Sequence, residues 1–428
     1  MRDMQRKLTG GFYALISLPS TAMGFALSIQ ISALSWILTT QYGLDIHQVG
    51  IVWAAGPLAG IFGQVIIGLI SDRVWFWGGR RRPFIIIGGA LAALMLFALP
   101  NIRAISEALG VASLLVVATV IALTLDLAIN VSFNPTRSVI ADVTPEGEAR
   151  TKGYTWMQTI SGFFGVLAYV IGAVAGNYVL IYAGVGLVLL FSVIPILFVD
   201  EPRELRAGAD QRPGEKSGGT QWGQLFRLYG AHAFSWIGVQ TMFVYIIAFI
   251  QQKMALPSSP ADAARVSGQV ISISFAVLNT VGFLLPAPVL EPLAVRFGRV
   301  RVHMGAVAIM AAGYFGVVAF GTTPLMLYIL MGVLGIGWAS IVSLPFAIMT
   351  EKVDKSRTGF FMGIFNLSVV LPQLFVSLVL GKIILDAPDK SLIFIVSGCT
   401  LALSAFGWLF VREGGPARSA GASPERTH

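Results

Sequence analysis

Residues 111–140 read VASLLVVATVIALTLDLAINVSFNPTRSVI, and this stretch decides the class of fold. A helix needs about 20 apolar residues to cross the hydrocarbon core of a bilayer, and this stretch is longer. Backbone that faces lipid must satisfy its own hydrogen bonds, so a spanning stretch of this kind is helical. It contains one acidic residue, Asp126, and one basic residue, Arg137.

Stretches of the same kind recur along the 428 residues, of which 56% are hydrophobic and only 12% are charged. Soluble proteins carry about a quarter charged residues, so the composition excludes a soluble fold. We therefore predict an all-α membrane protein with twelve transmembrane helices. The predicted spans are 11–40, 48–70, 83–102, 111–140, 153–175, 180–199, 225–252, 266–290, 302–321, 324–350, 358–384 and 391–411.

A hydrophilic stretch rich in charge, Gly and Pro separates the first six predicted helices from the last six. Such a composition favours a partly disordered linker. The predicted organisation is a first six-helix half over 1–199, a cytoplasmic linker over 200–224, a second half over 225–412 and a disordered cytoplasmic tail over 413–428.

Lysine and arginine are distributed unevenly around these helices, and most lie on the side of the N-terminus. The exceptions are Arg137 within a helix and, on the opposite side, Arg103, Lys253, Arg265, Lys382 and Lys390. Positive residues favour the cytoplasmic side, so we predict that both termini are cytoplasmic and that the protein lies in the cell inner (plasma) membrane. Topology thus explains the net charge of +8, and no nucleic-acid partner is predicted.

Two loops repeat one pattern. The loop after the second predicted helix contains Asp72 and then Gly79 with three arginines, and the loop after the eighth contains Glu291 and then Gly298 with two arginines. Related halves around a site near the membrane midplane are an architecture of transporters. The repeat therefore predicts two pseudo-symmetric halves.

These loops resemble the signature loop of the major facilitator superfamily. The closer resemblance is to its sucrose-transporter branch, which includes plant sucrose–proton symporters and their bacterial and animal relatives. It is carried by Trp53, Gly56, Pro57, Gly60, Gln64, 71–73, 79–84, Asp126, Asn130, Pro135, Arg137, 141–142, 366–367 and 372–373. The resemblance implies the major facilitator fold and sugar transport. Val65 departs from the family pattern, as does a seventh helix without aspartates near its outer end, which leaves the identity of the sugar open.

Asp126 is the carboxylate that the sequence places well inside a predicted span. An ionised carboxylate is costly there, so acids within membranes usually face an aqueous cavity and serve ion or proton pathways. We therefore predict that Asp126 couples transport to protons. A purely structural bond to a neighbouring helix is the alternative.

Arg137 lies eleven residues after Asp126, roughly 16 Å along an ideal helix and about 20° around it. Pro135 is expected to kink the helix between them. The family resemblance implies that Arg137 helps to couple proton release to sugar binding. The alternatives are that it extends to the cytoplasmic edge or pairs with Asp142.

Sugars are bound by planar polar groups and by aromatic faces, and few polar groups occur within the predicted spans. The predicted substrate-binding residues are Asp126, Asn130, Gln64, Gln30, Trp236, Gln240 and Asn366, with Trp36 and Trp338 as further aromatic platforms. Each polar residue would also suit a hydrogen bond between helices.

By family analogy, the charged residues of the first repeated loop form a cytoplasmic gate that breaks when the transporter changes state. The predicted gating residues are Asp72, Arg73, Arg80, Arg81, Arg82 and Asp142. Positive-inside anchoring is the alternative role for the arginines.

We therefore predict a proton-coupled symporter that imports a disaccharide or glucoside of the sucrose or maltose class by alternating access, functioning as a monomer in the bilayer. The single cysteine, the scattered histidines and the lack of a phosphate-binding loop or catalytic triad predict no metal, no cofactor besides the coupling proton and no enzyme activity. Sodium coupling would need several converging oxygens. The alternatives are a monosaccharide substrate, a proton-antiport exporter and a non-transporting membrane assembly or sensor protein.

Overall fold

The structure is a computed structural model that describes residues 2–60, 70, 74–145, 148–202, 220–353 and 358–413. Within these ranges the chain is mostly helical, and ten helices are long and apolar enough to cross a membrane. The labelled helices are α1 (Gly10–Thr40), α2 (Ile46–Trp53), α3 (Arg82–Leu109), α4 (Leu114–Val143), α5 (Glu148–Ala175), α6 (Asn177–Leu197), α7 (Trp222–Lys253), α8 (Pro260–Leu284), α9 (Arg299–Phe320), α10 (Pro324–Met349), α11 (358–386) and α12 (Leu392–Trp408).

Two of these helices differ from the other ten. α12 is a shorter apolar helix of 17 residues. α2 is followed by helical residues 55–60, and most of the remainder of its predicted span lies outside the described residues. The prediction of an all-α membrane protein is confirmed, whereas the count of twelve spans stays a prediction.

Local signals explain where the observed helices depart from the predicted spans. A 3₁₀ turn at Leu99–Asn101 carries α3 past Pro100, so the helix ends at Leu109 rather than at 102. α8 begins at Pro260 rather than at 266 because the Ser259 hydroxyl accepts a hydrogen bond from a backbone amide of its first turn. α4 runs without a break through Pro135.

Small residues allow the helices to approach one another closely. α3 packs on α4 and α6, and at Gly88 and Gly89 a side-chain carbon would collide with Ser132 of α4 and Ser192 of α6. Small residues drive helix association in lipid because they permit close backbone contact. Between the first six and the last six helices, α8 packs on α5 and the last part of α11 packs on α2.

Two glutamates bind the first amides of helices that are distant in sequence. The Glu201 carboxylate accepts from the amides of Arg80, Arg81 and Arg82 at 2.7–2.8 Å, at the start of α3. The Glu413 carboxylate accepts in the same way from the amides of Arg299 and Val300, at 2.6 and 3.1 Å. A carboxylate at a helix N-terminus satisfies free amides and interacts favourably with the helix dipole.

These contacts fall within segments for which the sequence predicts a linker and a tail. Glu201 lies in the predicted linker 200–224, most of which is outside the described residues, and Glu413 is the first residue of the predicted tail. α7 also begins at Trp222, before the predicted end of the linker.

Replacing Glu201 by Ala should lower the free energy of unfolding by about 1–2 kcal/mol, because three amides lose their acceptor. The effect is measured as a fall in the thermal unfolding midpoint of the detergent-solubilised protein. Glu107→Ala is the matched control, since Glu107 is exposed and its side chain has no partner among the described residues. Equal midpoints for the two variants would contradict the capping role.

Candidate functional site

A cavity of about 410 Å³ lies between α1, α2 and α4 on one side and α7, α10 and α11 on the other. Its size is typical of sites for small molecules, about 300–1,000 Å³. Of the seven predicted substrate-binding residues, those that line it are Asp126, Asn130, Gln30, Trp236, Gln240 and Asn366. The seventh, Gln64, lies outside the described residues.

Asp126 is the acidic residue of this cavity lining, and it is only 5% exposed. Gln30 donates a hydrogen bond from Nε2 to Asp126 Oδ2 at 3.0 Å. Gln30 begins a π-helical segment of α1, Gln30–Leu34, and such segments are frequent at functional sites. On another side, Gly56 leaves space for the carboxylate, since a side-chain carbon there would lie 3.3 Å from Oδ2.

Amide side chains supply most of the remaining polar groups. Asn130 Nδ2 donates to the carbonyl oxygen of Asp126 at 2.8 Å, one turn earlier in α4. Across the cavity, Gln373 Nε2 donates to Gln240 Oε1 at 3.2 Å. Amides both donate and accept, so this lining is suited to hydroxyl groups of a ligand.

Three tryptophans line the cavity, and the indole N–H of each donates a hydrogen bond to a protein side chain. The pairs are Trp53 to Ser35 Oγ at 2.8 Å, Trp236 to His232 Nε2 at 3.0 Å and Trp338 to Asn279 Oδ1 at 3.3 Å. The rings of Trp236 and Phe243 both lie edge-on to that of Trp338, with centroids 6.0 and 5.3 Å away. The cavity therefore receives apolar ring surface from these side chains, while hydrogen bonds come from the carboxylate and the amides.

Trp36, predicted as a further aromatic platform, does not line this cavity. Its indole N–H donates to the carbonyl oxygen of Ala264 at 2.6 Å, and its ring lies edge-on to Tyr178. These contacts hold the Trp36 side chain at the junction of α1 with α8.

Among the polar and aromatic residues of the lining, the prediction misses four: Trp53, Phe133, Phe243 and Gln373. Helical spacing could have found three of them. Phe133 lies seven residues after Asp126, Phe243 lies seven after Trp236, and Gln373 lies seven after Asn366, so each pair shares one helix face.

A second cavity of about 310 Å³ adjoins the first, and Leu27, Phe133 and Trp338 line both. Arg137 lines this second cavity and is exposed to it, with its guanidinium 4.1 Å from the centre of the Phe133 ring. No acidic side chain pairs with Arg137 in the part of the chain that the structure describes. Asp126 and Arg137 thus contribute to adjoining cavities without contact.

The two cavities differ in their position across the membrane. Ser20 and Gly24 of the second cavity precede Gln30 in α1, so this cavity lies nearer the N-terminal side. We call the opposite side the far side. There, three hydrogen bonds join α1 to α7 and α8: Ser35 Oγ to Val244 O at 2.8 Å, Trp36 Nε1 to Ala264 O at 2.6 Å, and Ser32 with Ser272 at 2.8 Å. These three bonds are the far-side seam.

Some of the predicted gating residues lie together on the N-terminal side. Arg81 Nε and Asp142 Oδ2 form an ion pair at 2.9 Å, with side chains only 6% and 11% exposed. This pairing replaces the alternative in which Arg137 binds Asp142. The backbone amides of Arg80 and Arg82 donate hydrogen bonds to the Glu201 carboxylate. Asp72 and Arg73 lie outside the described residues.

Comparison with known proteins gives a family and relatives. The model of a family described as MFS/sugar transport protein matches residues 12–382. The chain is 24% identical over 424 residues to the sucrose transport protein SUC4 of Arabidopsis thaliana, covering 85% of this chain and 82% of that protein. It is 32% identical over 174 residues to the general alpha-glucoside permease of Schizosaccharomyces pombe, covering 36% and 31%.

Solved structures share the fold. The nucleoside transporter NupG aligns with a TM-score of 0.70 at 13% identity, over 94% of this chain and 98% of that chain. A D-xylose–proton symporter aligns with a TM-score of 0.69 at 16% identity, over 94% and 98%. At these identities the likeness establishes the fold alone.

Gly56→Ala should shield Asp126, because the added methyl group meets the carboxylate. We expect a several-fold slower reaction of Asp126 with a hydrophobic carbodiimide, measured by mass spectrometry of the labelled peptide. Gly60→Ala is the matched control, since it lines the same cavity and a side-chain carbon there meets no described atom within 4 Å. Equal labelling rates in the two variants would show that Gly56 does not control access to Asp126.

Proposed function

The chain belongs to the MFS/sugar transport protein family and is a membrane sugar transporter, not an enzyme, and we propose that it imports a disaccharide or glucoside together with a proton. The observation that carries the proposal is the cavity in which Asp126 lies among amides and aromatic rings. Two relatives are named for sucrose and for alpha-glucosides, which supports a substrate of the sucrose or maltose class.

The proposed architecture has twelve spans in two pseudo-symmetric six-helix halves, with both termini in the cytoplasm and the protein in the cell inner (plasma) membrane as a monomer. The repeated capping arrangement supports related halves, because in both repeated loops the backbone amides that follow a glycine, Gly79 or Gly298, donate to a distant glutamate at the start of a helix. The lysine and arginine distribution supports the orientation.

Sugar recognition is divided between two kinds of side chain in this proposal. Gln30, Asn130, Gln240 and Asn366 bind hydroxyl groups, and the ring of Trp236 packs against the C–H face of the sugar. Aromatic rings bring a large apolar surface at fixed geometry, which suits this second role. Gln64 is proposed as a further polar contact on the resemblance alone.

Proton coupling is assigned to Asp126. Burial makes an unneutralised carboxylate costly, and its one hydrogen bond from a described side chain comes from Gln30. A proton neutralises the group, whereas a sodium ion would need several converging oxygens. Protonation from outside would therefore favour sugar binding beside Asp126, and loss of the proton to the cytoplasm would favour release.

The placement of the cavities supports the proposal of alternating access. The far-side seam joins α1 to α7 and α8, and the second cavity lies on the N-terminal side, an arrangement that supports an inward-facing state. Arg137 lines this second cavity and is proposed to assist proton release. The gate on the N-terminal side is assigned to Asp72, Arg73, Arg80, Arg81, Arg82 and Asp142. Within this set Arg81 and Asp142 both belong to the first half, so their pair is compatible with an inward-facing state.

Uptake of labelled sucrose and maltose into proteoliposomes tests the proposal. With an inward proton gradient, the wild type should concentrate one of the sugars and Asp126→Asn should not, because it cannot take up the proton. Glu107→Gln should resemble the wild type, since Glu107 lies outside both cavities.

Three outcomes would contradict the proposal. Equal concentration of sugar by Asp126→Asn would remove the coupling role of Asp126. Failure of both sugars to enter under any gradient would remove the substrate class. Proton-driven movement in the outward direction would instead support an antiport exporter.

Arg81→Gln and Asp142→Asn should each lower both transport and the thermal unfolding midpoint. Removing one partner of a buried ion pair leaves an uncompensated charge and costs about 3–5 kcal/mol. The exchange Arg81→Asp with Asp142→Arg should recover part of both losses. Arg265→Gln is the control, because its pair with Asp262 is more than half exposed on both sides and is worth little. Single variants with unchanged uptake would exclude this pair from the gate.

A further inference from the structure

Trp53 connects the first cavity to the far-side seam. Its ring lines the cavity, and its indole N–H donates to Ser35 Oγ at 2.8 Å. The same hydroxyl donates to the carbonyl oxygen of Val244 at 2.8 Å. Trp53 and Ser35 are only 8% and 4% exposed, so the path from α2 through α1 to α7 is buried throughout.

We propose that Trp53 is a sugar-stacking residue and that Ser35 is a positioning residue that transmits occupancy of the cavity to α7, so that bound sugar favours closure of the far side. The inference rests on the proposed sugar transport and adds to it a contact residue and a route of coupling.

The position of Trp53 favours contact with the ligand. Gly56, one helical turn later, lines the same cavity and lies against Asp126. Gly56 lies only three residues after Trp53 and both line the cavity, so Trp53 and the Asp126 carboxylate border one region of it. With its N–H engaged by Ser35, the indole offers ring surface to the C–H face of a sugar.

The hydroxyl of Ser35 makes the two hydrogen bonds interdependent. A serine hydroxyl has one proton, which Ser35 donates to Val244 O while its oxygen accepts from Trp53. Hydrogen bonds in series polarise and strengthen one another at low dielectric. A sugar that fixes the indole therefore also fixes the hydroxyl on which the contact with α7 depends.

The other two bonds of the far-side seam lack this connection. Ser32 and Trp36 do not line the first cavity, and their partners Ser272 and Ala264 lie on α8. Ser32 is thus a matched control, because it contributes a buried hydroxyl to the same seam but bonds α8 rather than a residue of the cavity lining. Its loss should weaken the seam without removing the response to sugar.

The test measures sugar affinity and far-side distance in the full-length protein. Spin labels are placed at Arg103→Cys and Ser258→Cys, both exposed, with the exposed native thiol removed by Cys399→Ser. Labelled maltose and sucrose serve as binding probes. In the parent protein, sugar should shift the electron–electron distance distribution towards the short, closed population.

The variants separate the two parts of the inference. Trp53→Ala should weaken sugar binding by about tenfold through loss of the ring surface. Trp53→Phe retains a ring but cannot donate to Ser35, so it should bind sugar while losing the sugar-induced shift. Ser35→Ala should lose the shift to the same extent, and combining it with Trp53→Phe should add little. Ser32→Ala should keep the shift.

Contrary results are distinct from failure of the proposed function, which would appear as absent sugar binding or uptake in the parent protein. If the parent binds and transports sugar but Trp53→Ala binds equally well, Trp53 is not a contact residue. If Ser35→Ala responds to sugar as Ser32→Ala does, Ser35 is only part of the seam. Either result overturns the inference.

Discussion

Hydrocarbon offers no hydrogen-bond partner, so each polar group that a helix carries into the membrane must find one within the protein or in a water-filled cavity. Hydroxyl groups such as those of Thr21, Ser28 and Thr119 bind carbonyl oxygens of their own helices. The indole N–H groups of the cavity tryptophans bind neighbouring side chains. Asp126 binds Gln30 and otherwise borders the cavity. In the first cavity, the polar groups that a ligand can reach are therefore the Asp126 carboxylate and the amide side chains around it.

The sequence is informative where this constraint acts on one helix at a time. Hydropathy locates the long helices, and the cost of a charge in the membrane marks Asp126 by its position in an apolar stretch. The lining of the cavity is harder to predict, because Trp36 and Trp53 both occur in apolar helices near the far side. Only packing assigns one to the junction of α1 with α8 and the other to the cavity. The glutamate caps are also beyond local patterns, since each joins residues more than one hundred positions apart.

Each of the two repeated loops contributes an arginine to an ion pair, and the two pairs differ in how exposed they are. Arg81 and Asp142 form a buried pair near the start of α3, whereas Arg299 and Glu351 pair near the start of α9 with side chains 47% and 32% exposed. Exposed pairs contribute little, and buried pairs are costly to break. The first loop therefore resists rearrangement more than the second, so a change of state on the N-terminal side would cost more at α3 than at α9.

The glutamate caps also bear on how the chain is made. Glu201 follows the amides that it binds by 119–121 residues, and Glu413 follows its own by 113–114. Ribosomes add about 5–20 residues per second, so α3 waits roughly 6–24 s for its cap. Insertion of α3 into the membrane must therefore proceed without Glu201. Each cap can form only after a run of four helices, α3 to α6 or α9 to α12, has been synthesised. It then binds the start of the first of these helices to the segment that follows the last.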